Sequence, residues 1–219
     1  ADDTATVLPG LGGQLGLVRP SGVNPATGAE WKVGDTYRIM FSSSTVRDAT
    51  SSDIADYNAH VQAAATAAGY GAVTWYAVGS TATVNANVNT QTEVGVDPDG
   101  PVFMMNGTSL IANNLADFWD NNHSSAQSNI ADENGLFNQD YVLSTAPYGN
   151  WESNWTGTSG TGTANNPLGN AGNVNLGLCS GAASGGQWTS RSNSASKTEL
   201  LRIYGITEPL TVQVGGYVS

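Results

Sequence analysis

Residues 36–42 read Thr-Tyr-Arg-Ile-Met-Phe-Ser, and this short stretch sets the class of the fold. Tyr37, Ile39 and Phe41 alternate with their neighbours, which is the period of two that is typical of a strand with one face on a core. A second apolar run, Val73–Val78, ends at a glycine and predicts another strand.

That intervening segment has the periodicity of an α-helix. Apolar or alanine side chains recur at positions 54, 57, 61, 64, 65 and 68, close to the 3.6-residue repeat. Thr50 and Asp53 have capping-box spacing, and Gly69 suits the position just after a helix. We therefore expect a helix over about 51–68, with Ile54, Tyr57 and Val61 facing the sheet.

The remainder of the chain is rich in loops. Residues 85–196 are dominated by Asn, Gly, Ser and Thr with short apolar islands, which predicts long packed or functional loops. Strand signals return at Leu200–Tyr204 and at 210–214, where Leu210, Val212 and Val214 alternate. The order indicates an α+β domain with helices on one side of a mostly antiparallel sheet.

The first 34 residues predict an extended arm rather than a helix. They contain Pro9, Pro20, Pro25 and many glycines, which interrupt helices. We expect this arm to pack on its own domain or on a neighbouring subunit, followed by a domain at 35–206 and a C-terminal strand or tail at 207–219. The arm's apolar side chains are Val7, Leu8, Leu11, Leu15, Leu17 and Val18.

Composition narrows the function classes. Only 11% of the 219 residues are charged, against roughly 25% in average soluble proteins. The net charge is −11, and the seven basic residues are scattered, so binding to nucleic acid or to anionic membrane is disfavoured. No apolar run is long enough to span a membrane. A polar, charge-poor surface and an Ala-Asp-Asp start without Met favour a mature secreted or surface-displayed protein.

Four groups of residues resemble the C-type-lectin-like fold, in particular its bacterial secreted relatives, which are similar to the endostatin-type branch. The groups cover residues 35–206 in matching order. They are 37–44 with 50–57; Trp75–Thr81; 101–108 with 111–120 and 130–135; and 154–158 with 185–188 and 201–204. The resemblance implies one domain of this fold, which is used by sugar binders, protein binders and structural modules alike.

The chain departs from lectin-type relatives at their functional positions. Those relatives commonly carry two disulfides, whereas Cys179 is the single cysteine here. The calcium-lectin triplets Glu-Pro-Asn and Trp-Asn-Asp are absent, although Trp119-Asp120-Asn121 has similar letters. The basic cluster needed for the heparin binding of the endostatin branch is absent too.

Two acidic stretches are candidates for calcium, which prefers oxygen ligands. Asp97 and Asp99 flank a proline before a turn glycine, and a plain turn explains the same letters. The second stretch combines Asp117, Asp120, Asn121, Asp132, Glu133 and Asn134. For it, a solvated loop with side-chain-to-backbone turns is the simpler interpretation. Calcium is thus the one candidate metal.

Aromatic side chains mark a candidate binding surface. Trp151 and Trp155, with Tyr148 nearby, form the densest aromatic group. Together with Asp120 and Asn121 they could bind a glycan if exposed. Burial in the core is the simpler expectation, because tryptophan is highly buried on average.

The sequence predicts a protein without catalysis. Residues 177–181 have the Gly-x-nucleophile-x-Gly shape, with Cys179 as the nucleophile. The turn needs a strand before it and a helix after it, and the flanks, residues 173–176 and a Ser/Gly/Ala loop, do not predict this context. The two histidines, His60 and His123, lie in the predicted helix and in a polar loop. These three residues are also too few for a zinc site.

Three functions remain, in order of preference. The first is an extracellular structural protein that assembles into a homopolymer such as a filament, sheath or surface layer. In that function the arm pairs with the edge offered by Leu210, Val212 and Val214. The second is a secreted module that binds a carbohydrate or another ligand, with or without calcium. The third, a hydrolase, rests on Cys179 alone.

Overall fold

The computed structural model describes residues 23–107, 109–120, 130–136, 153–178, 188–190 and 194–212. Within them the chain forms eleven strands and three helices. The strands are β1 Val23–Asn24, β2 Ala29–Glu30, β3 Thr36–Ser42, β4 Trp75–Ala77, β5 Val102–Met104, β6 Leu110–Ala112, β7 Ser153–Trp155, β8 Asn173–Leu178, β9 Ser194–Ser196, β10 Arg202–Thr207 and β11 Leu210–Thr211. The helices are α1 Ile54–Ala67, α2 Ala86–Asn89 and α3 Leu115–Phe118.

Nine of the strands form one mixed sheet. Its path is β6-β5-β3-β10-β7-β8-β9, with β11 paired to β3 and β4 paired to β10. The pairs β3–β5 and β10–β7 are parallel, whereas the others in the sheet are antiparallel. The α+β class and the mostly antiparallel sheet are therefore confirmed.

The central strand β3 begins and ends where its pattern predicts. Tyr37, Ile39 and Phe41 lie in one hydrophobic cluster, and Met40 lies in a second cluster. Since successive side chains of a strand point to opposite faces, the two clusters lie on the two faces of the sheet. Arg38 points the same way as Met40 and is fully buried, so neither face of β3 contacts solvent.

Helix α1 packs on the face of the sheet that carries Ile39, and its side chains join the same hydrophobic cluster, called the first cluster below. Tyr57 and Val61 are fully buried there and Ile54 is partly buried against it, so the predicted orientation of the helix is confirmed. It begins at Ile54, because Asp53 is itself the N-cap and accepts from the N–H of Ala55 at 2.9 Å. The expected start near residue 51 was wrong.

The end of α1 follows the prediction closely. Gly69 has a φ of +94°, a conformation that glycine adopts at little cost. Its N–H donates to the carbonyl of Thr66 at 3.0 Å, and the N–H of Tyr70 donates to that of Ala65 at 2.8 Å. This pair of bonds is a Schellman motif.

Helices lie on both faces of the sheet rather than on one. Ala86 of α2 and Phe118 of α3 belong to the second cluster, together with Trp119 and Trp188. The loop-rich half gave no periodic signal for these four-residue helices, because a single turn is too short to show a repeat.

Both ends of the expected domain extend further than predicted. Residues 23–34 contain the β1–β2 hairpin, and Trp31 is 6% exposed in the first cluster. At the other end, β10 runs to Thr207 and β11 continues the sheet beside β3. The boundaries at 34/35 and 206/207 therefore fall within packed structure. None of the described helices is long and apolar enough to cross a membrane.

Candidate functional site

A cleft of about 410 Å³ opens between α1, the end of β3 and the turn at 130–136. Its wall combines hydroxyl, imidazole, carboxylate and methyl groups. The lining residues are Ser44, Thr45, His60, Ala63, Ala64, Ala67, Ala68, Glu133 and Asn134. This mixture of polar and apolar groups is typical of sites for small ligands.

Glu133 is the charged group of the cleft. It is 3% exposed, and its Oε2 accepts from the backbone N–H of Ser44 at 2.8 Å. Its Oε1 accepts from the Ser44 hydroxyl. Two donors on the two oxygens suit the ionised carboxylate, so Ser44 fixes both its position and its orientation.

A tight turn presents Glu133 to the cleft. Asp132, which is 2% exposed, accepts through Oδ1 from the N–H groups of Asn134 and Leu136, both at 2.9 Å. The segment is tied to the sheet because the N–H of Ser42 donates to the carbonyl of Ala131 at 3.0 Å. The expected side-chain-to-backbone turn is confirmed. The expectation that this loop is solvated was wrong for Asp132 and Glu133, because docking on β3 buries them.

His60 forms the neighbouring part of the cleft. Its Nε2 lies 3.2 Å from the Thr45 hydroxyl oxygen, within hydrogen-bond distance. Burial lowers the pKa of His60 below its ordinary value, and the charge of Arg47 lowers it further. A hydrogen bond to the backbone of Thr45 and the charge of Glu133 act in the opposite direction. The imidazole is therefore neutral at neutral pH.

Asp97 and Asp99, the first calcium candidates, are engaged with the protein itself. Asp97 accepts from the N–H of Glu93 at 2.7 Å, and one oxygen of Asp99 accepts from the N–H groups of Gly100 and Leu115. Burial lowers the pKa of Arg38 to about 10, and both aspartates counteract that shift. Their geometry thus explains the two acids as turn residues that also balance a buried cation.

The aromatic surface is only partly described. Trp155 is fully buried, and its indole N–H donates to the carbonyl of Arg47 at 2.9 Å. A glycan-binding role for this ring was wrong, and core packing is confirmed. Asp120 is exposed, whereas Trp151 and Asn121 lie outside the described residues.

The cysteine site is described on one side only. Strand β8 ends at Leu178, directly before Cys179, so the expectation that no strand leads into the motif was wrong. Cys179 and His123 themselves lie outside the described residues. Among the residues that are described, no three His, Cys, Asp or Glu side chains form a group that could hold a metal ion.

The predicted assembly residues divide into two groups. Val7, Leu8, Leu11, Leu15, Leu17, Val18 and Val214 lie outside the described residues. Leu210 and Val212 are each 1% exposed and belong to the core of their own domain. A direct role of these two side chains in assembly was wrong, because the core of the same chain already encloses them.

The backbone of β11 nevertheless offers an edge. Val212 donates to the carbonyl of Asp35 at 2.9 Å and accepts from the N–H of Gly34 at 2.8 Å, so its polar groups face the β3 side. The backbone N–H and C=O groups of successive residues in a strand point to opposite sides. Those of Thr211 therefore point away from β3. Among the described strands, β11 pairs with β3 alone.

Several cleft residues carried weak signals in the sequence. Positions 60, 63, 64, 67 and 68 share one helix face, and four of them are alanine, so this face has no large side chain. Ser44 closes a serine run directly after β3. Neither signal indicates the contact with Glu133, which is distant in sequence.

No protein-family model matches the chain, and no curated protein matches it at a significant level.

Proposed function

We propose that this chain is an extracellular, non-catalytic assembly module that is built on a C-type-lectin-like domain and joins copies of itself into a homopolymer. The feature that carries the proposal is the outer side of β11: Val212 bonds to the β3 side, so the alternation of a strand directs the backbone groups of Thr211 away from β3. An exposed edge pairs readily with an extended segment of another chain. The arm supplies a segment of that kind, with six apolar side chains in residues 7–18.

The position of the hairpin supports the same proposal. Residues 23–34 are anchored by Trp31 in the core, and Gly34 bonds directly to Val212 of the β11 segment. The segment that follows the arm's six apolar residues in sequence is therefore fixed next to β11, on its β3 side. Pairing of an arm with the edge of the next subunit is heterologous, so it generates open, head-to-tail polymers.

Composition supports the extracellular setting. Only 11% of the residues are charged, so hydroxyl and amide groups rather than Lys and Glu hydrate the surface. Such a composition suits an exterior environment. The alternative, a carbohydrate-binding module acting through Trp151 and Trp155, is weakened because Trp155 is enclosed in the core.

Deletion of residues 1–20 tests assembly. We expect the truncated chain to keep its thermal unfolding transition and to become monomeric, whereas the full-length chain forms polymers visible by light scattering and electron microscopy. A matched control replaces the six apolar arm residues by serine and keeps the length. A full-length chain that is strictly monomeric at high concentration, or a truncated chain that unfolds, would contradict the proposal.

A further inference from the structure

The cleft beside α1 contains a carboxylate without a matching cation. Glu133 is 3% exposed and is held by the N–H and the hydroxyl of Ser44. No Lys, Arg or His side chain of the described residues forms an ion pair with it. Buried charges are normally paired, because removing a charge from water is costly. The cleft therefore favours a cationic occupant over a neutral or anionic one.

His60, which lines the cleft, and Arg47, whose charge acts on His60, form no ion pair with this carboxylate. His60 lies in the cleft, but burial and Arg47 lower its pKa, so its ring is uncharged at neutral pH. The Arg47 guanidinium is engaged elsewhere, since it donates to the carbonyls of Asp48 and Asp56 and stacks 4.0 Å from the centre of the Tyr57 ring. The Arg202 guanidinium donates to the carbonyl of Ser43 at 2.8 Å, so none of these three described basic side chains forms an ion pair with Glu133.

The other wall of the cleft suits a hydrocarbon stem. Ala63 and Ala67 are exposed side chains on one face of α1, and Ala64 and Ala68 lie beside them. Methyl groups offer contact area to an alkyl chain and no hydrogen bonds. Thr45 adds a hydroxyl oxygen that can accept from an ammonium N–H.

We propose that the cleft binds a primary ammonium group on an aliphatic stem, with the ammonium beside Glu133 and the stem along Ala63 and Ala67. A lysine side chain and a free alkylamine share this chemistry. The inference goes beyond assembly and does not depend on it. A bare divalent cation is disfavoured, because calcium takes six to eight oxygen ligands and no group of three acidic, His or Cys side chains exists among the described residues.

The direct test uses n-butylamine as the probe and nuclear magnetic resonance to follow the His60 ring and the α1 alanines. n-Butanol and pentanoate have the same butyl stem with a neutral and an anionic head. At neutral pH we expect saturable changes in the chemical shifts of these resonances with the amine at millimolar concentration. The neutral and the anionic probe should cause smaller changes or none. Equal binding of butanol and butylamine would overturn the proposal, because the charge of Glu133 would then play no part.

Three variants locate the binding site. Ala67→Leu fills the cleft without touching the carboxylate, and we expect it to weaken amine binding by at least about tenfold. Ala59→Leu, on an exposed part of α1 outside the cleft, is the matched control and should bind as the wild type does. Undiminished binding by Ala67→Leu would overturn the placement. Glu133→Gln should abolish the preference for the amine over butanol, and its thermal transition shows whether it is folded.

A final binding experiment distinguishes the source of the ammonium group. Nα-acetyl-lysine N-methylamide presents the same head and stem on a peptide backbone. Binding as tight as that of butylamine indicates a lysine side chain of a protein partner, whereas exclusion of the larger probe indicates a small amine. Failure of every amine to bind would overturn the proposal while leaving the truncation test of assembly unaffected.

Discussion

Glu133 accepts hydrogen bonds from both the backbone N–H and the hydroxyl of Ser44, a residue that lies 89 positions earlier in the chain. This pair joins the end of β3 to the turn at 130–136 and closes the base of the cleft. It is also a polar contact with almost no access to water, because Glu133 is 3% exposed. Both stability and the shape of the cleft depend on it.

Ser44→Ala should lower the free energy of unfolding by about 1–3 kcal/mol, because a buried carboxylate loses one of its donors. Ser51→Ala is a suitable control, since the Ser51 hydroxyl donates to the Asp56 carboxylate at 2.6 Å on the exposed surface. We expect that variant to lose less than about 1 kcal/mol. Urea unfolding of both variants measures the difference, and equal losses would show that the Ser44–Glu133 contact is no more than a surface bond.

Val61→Asp should destabilise the chain by more than about 3 kcal/mol, since it places a carboxylate in the first cluster without a partner. Val61 is fully buried between α1 and the sheet. Ala59→Asp lies on the same helix and is exposed, so it should cost no more than about 1 kcal/mol, through the lower helix propensity of Asp and its repulsion from Asp56. Thermal unfolding compares the two, and an unchanged transition for Val61→Asp would contradict the packing of α1.

The predictable part of the fold is the part in which a regular period coincides with burial. β3 and the end of α1 follow from alternation, helical spacing and one glycine. Trp31 could not be placed in this way, because it lies among glycines and prolines and has no periodic neighbours. The sequence also did not predict that β3 is buried on both faces, because an arginine such as Arg38 is expected to face solvent.

The cleft could be predicted only in fragments. Asp132, Glu133 and Asn134 are an acidic-amide stretch in the sequence, and nothing local distinguishes a buried Glu133 from a solvated one. Its environment depends on Ser44, and a hydrogen bond between residues so far apart in sequence leaves no periodic pattern. The alanines on one face of α1 leave that face without large side chains, but they do not show what lies opposite them.

Stability should fall as the pH is lowered through the ordinary histidine pKa of 6.5, because burial lowers the pKa of His60 in the folded state. Between the folded value and 6.5 the unfolded chain binds a proton that the folded chain does not, so acid favours unfolding. The stability that depends on an uncharged His60 is fully present above pH 6.5. It is fully lost below the pKa that His60 has in the folded chain. Arg47 adds to the depression, whereas Glu133 and Thr45 oppose it.

Comparison with His60→Gln isolates this effect from the titration of carboxylates. Urea unfolding at about pH 7.5 and about pH 5.5, on either side of the ordinary pKa, should show a steeper loss for the wild type than for the variant. A nuclear magnetic resonance titration of the ring supplies the second measurement. A His60 pKa at or above 6.5 would contradict the assignment of a half-buried, uncharged imidazole.

Thr211→Pro should block assembly while leaving the domain folded. Proline removes one N–H, and in β11 the N–H of Thr211 faces away from β3, so the ladder between the two strands keeps its bonds. The outer edge loses the donor that an arm from the next subunit would use. Light scattering should report monomers for this variant, and polymers for Thr211→Ala, which changes the side chain and keeps the N–H. If both variants polymerise, the outer edge of β11 is not the contact; if both are monomeric, the side chain of Thr211 rather than its backbone carries the interaction.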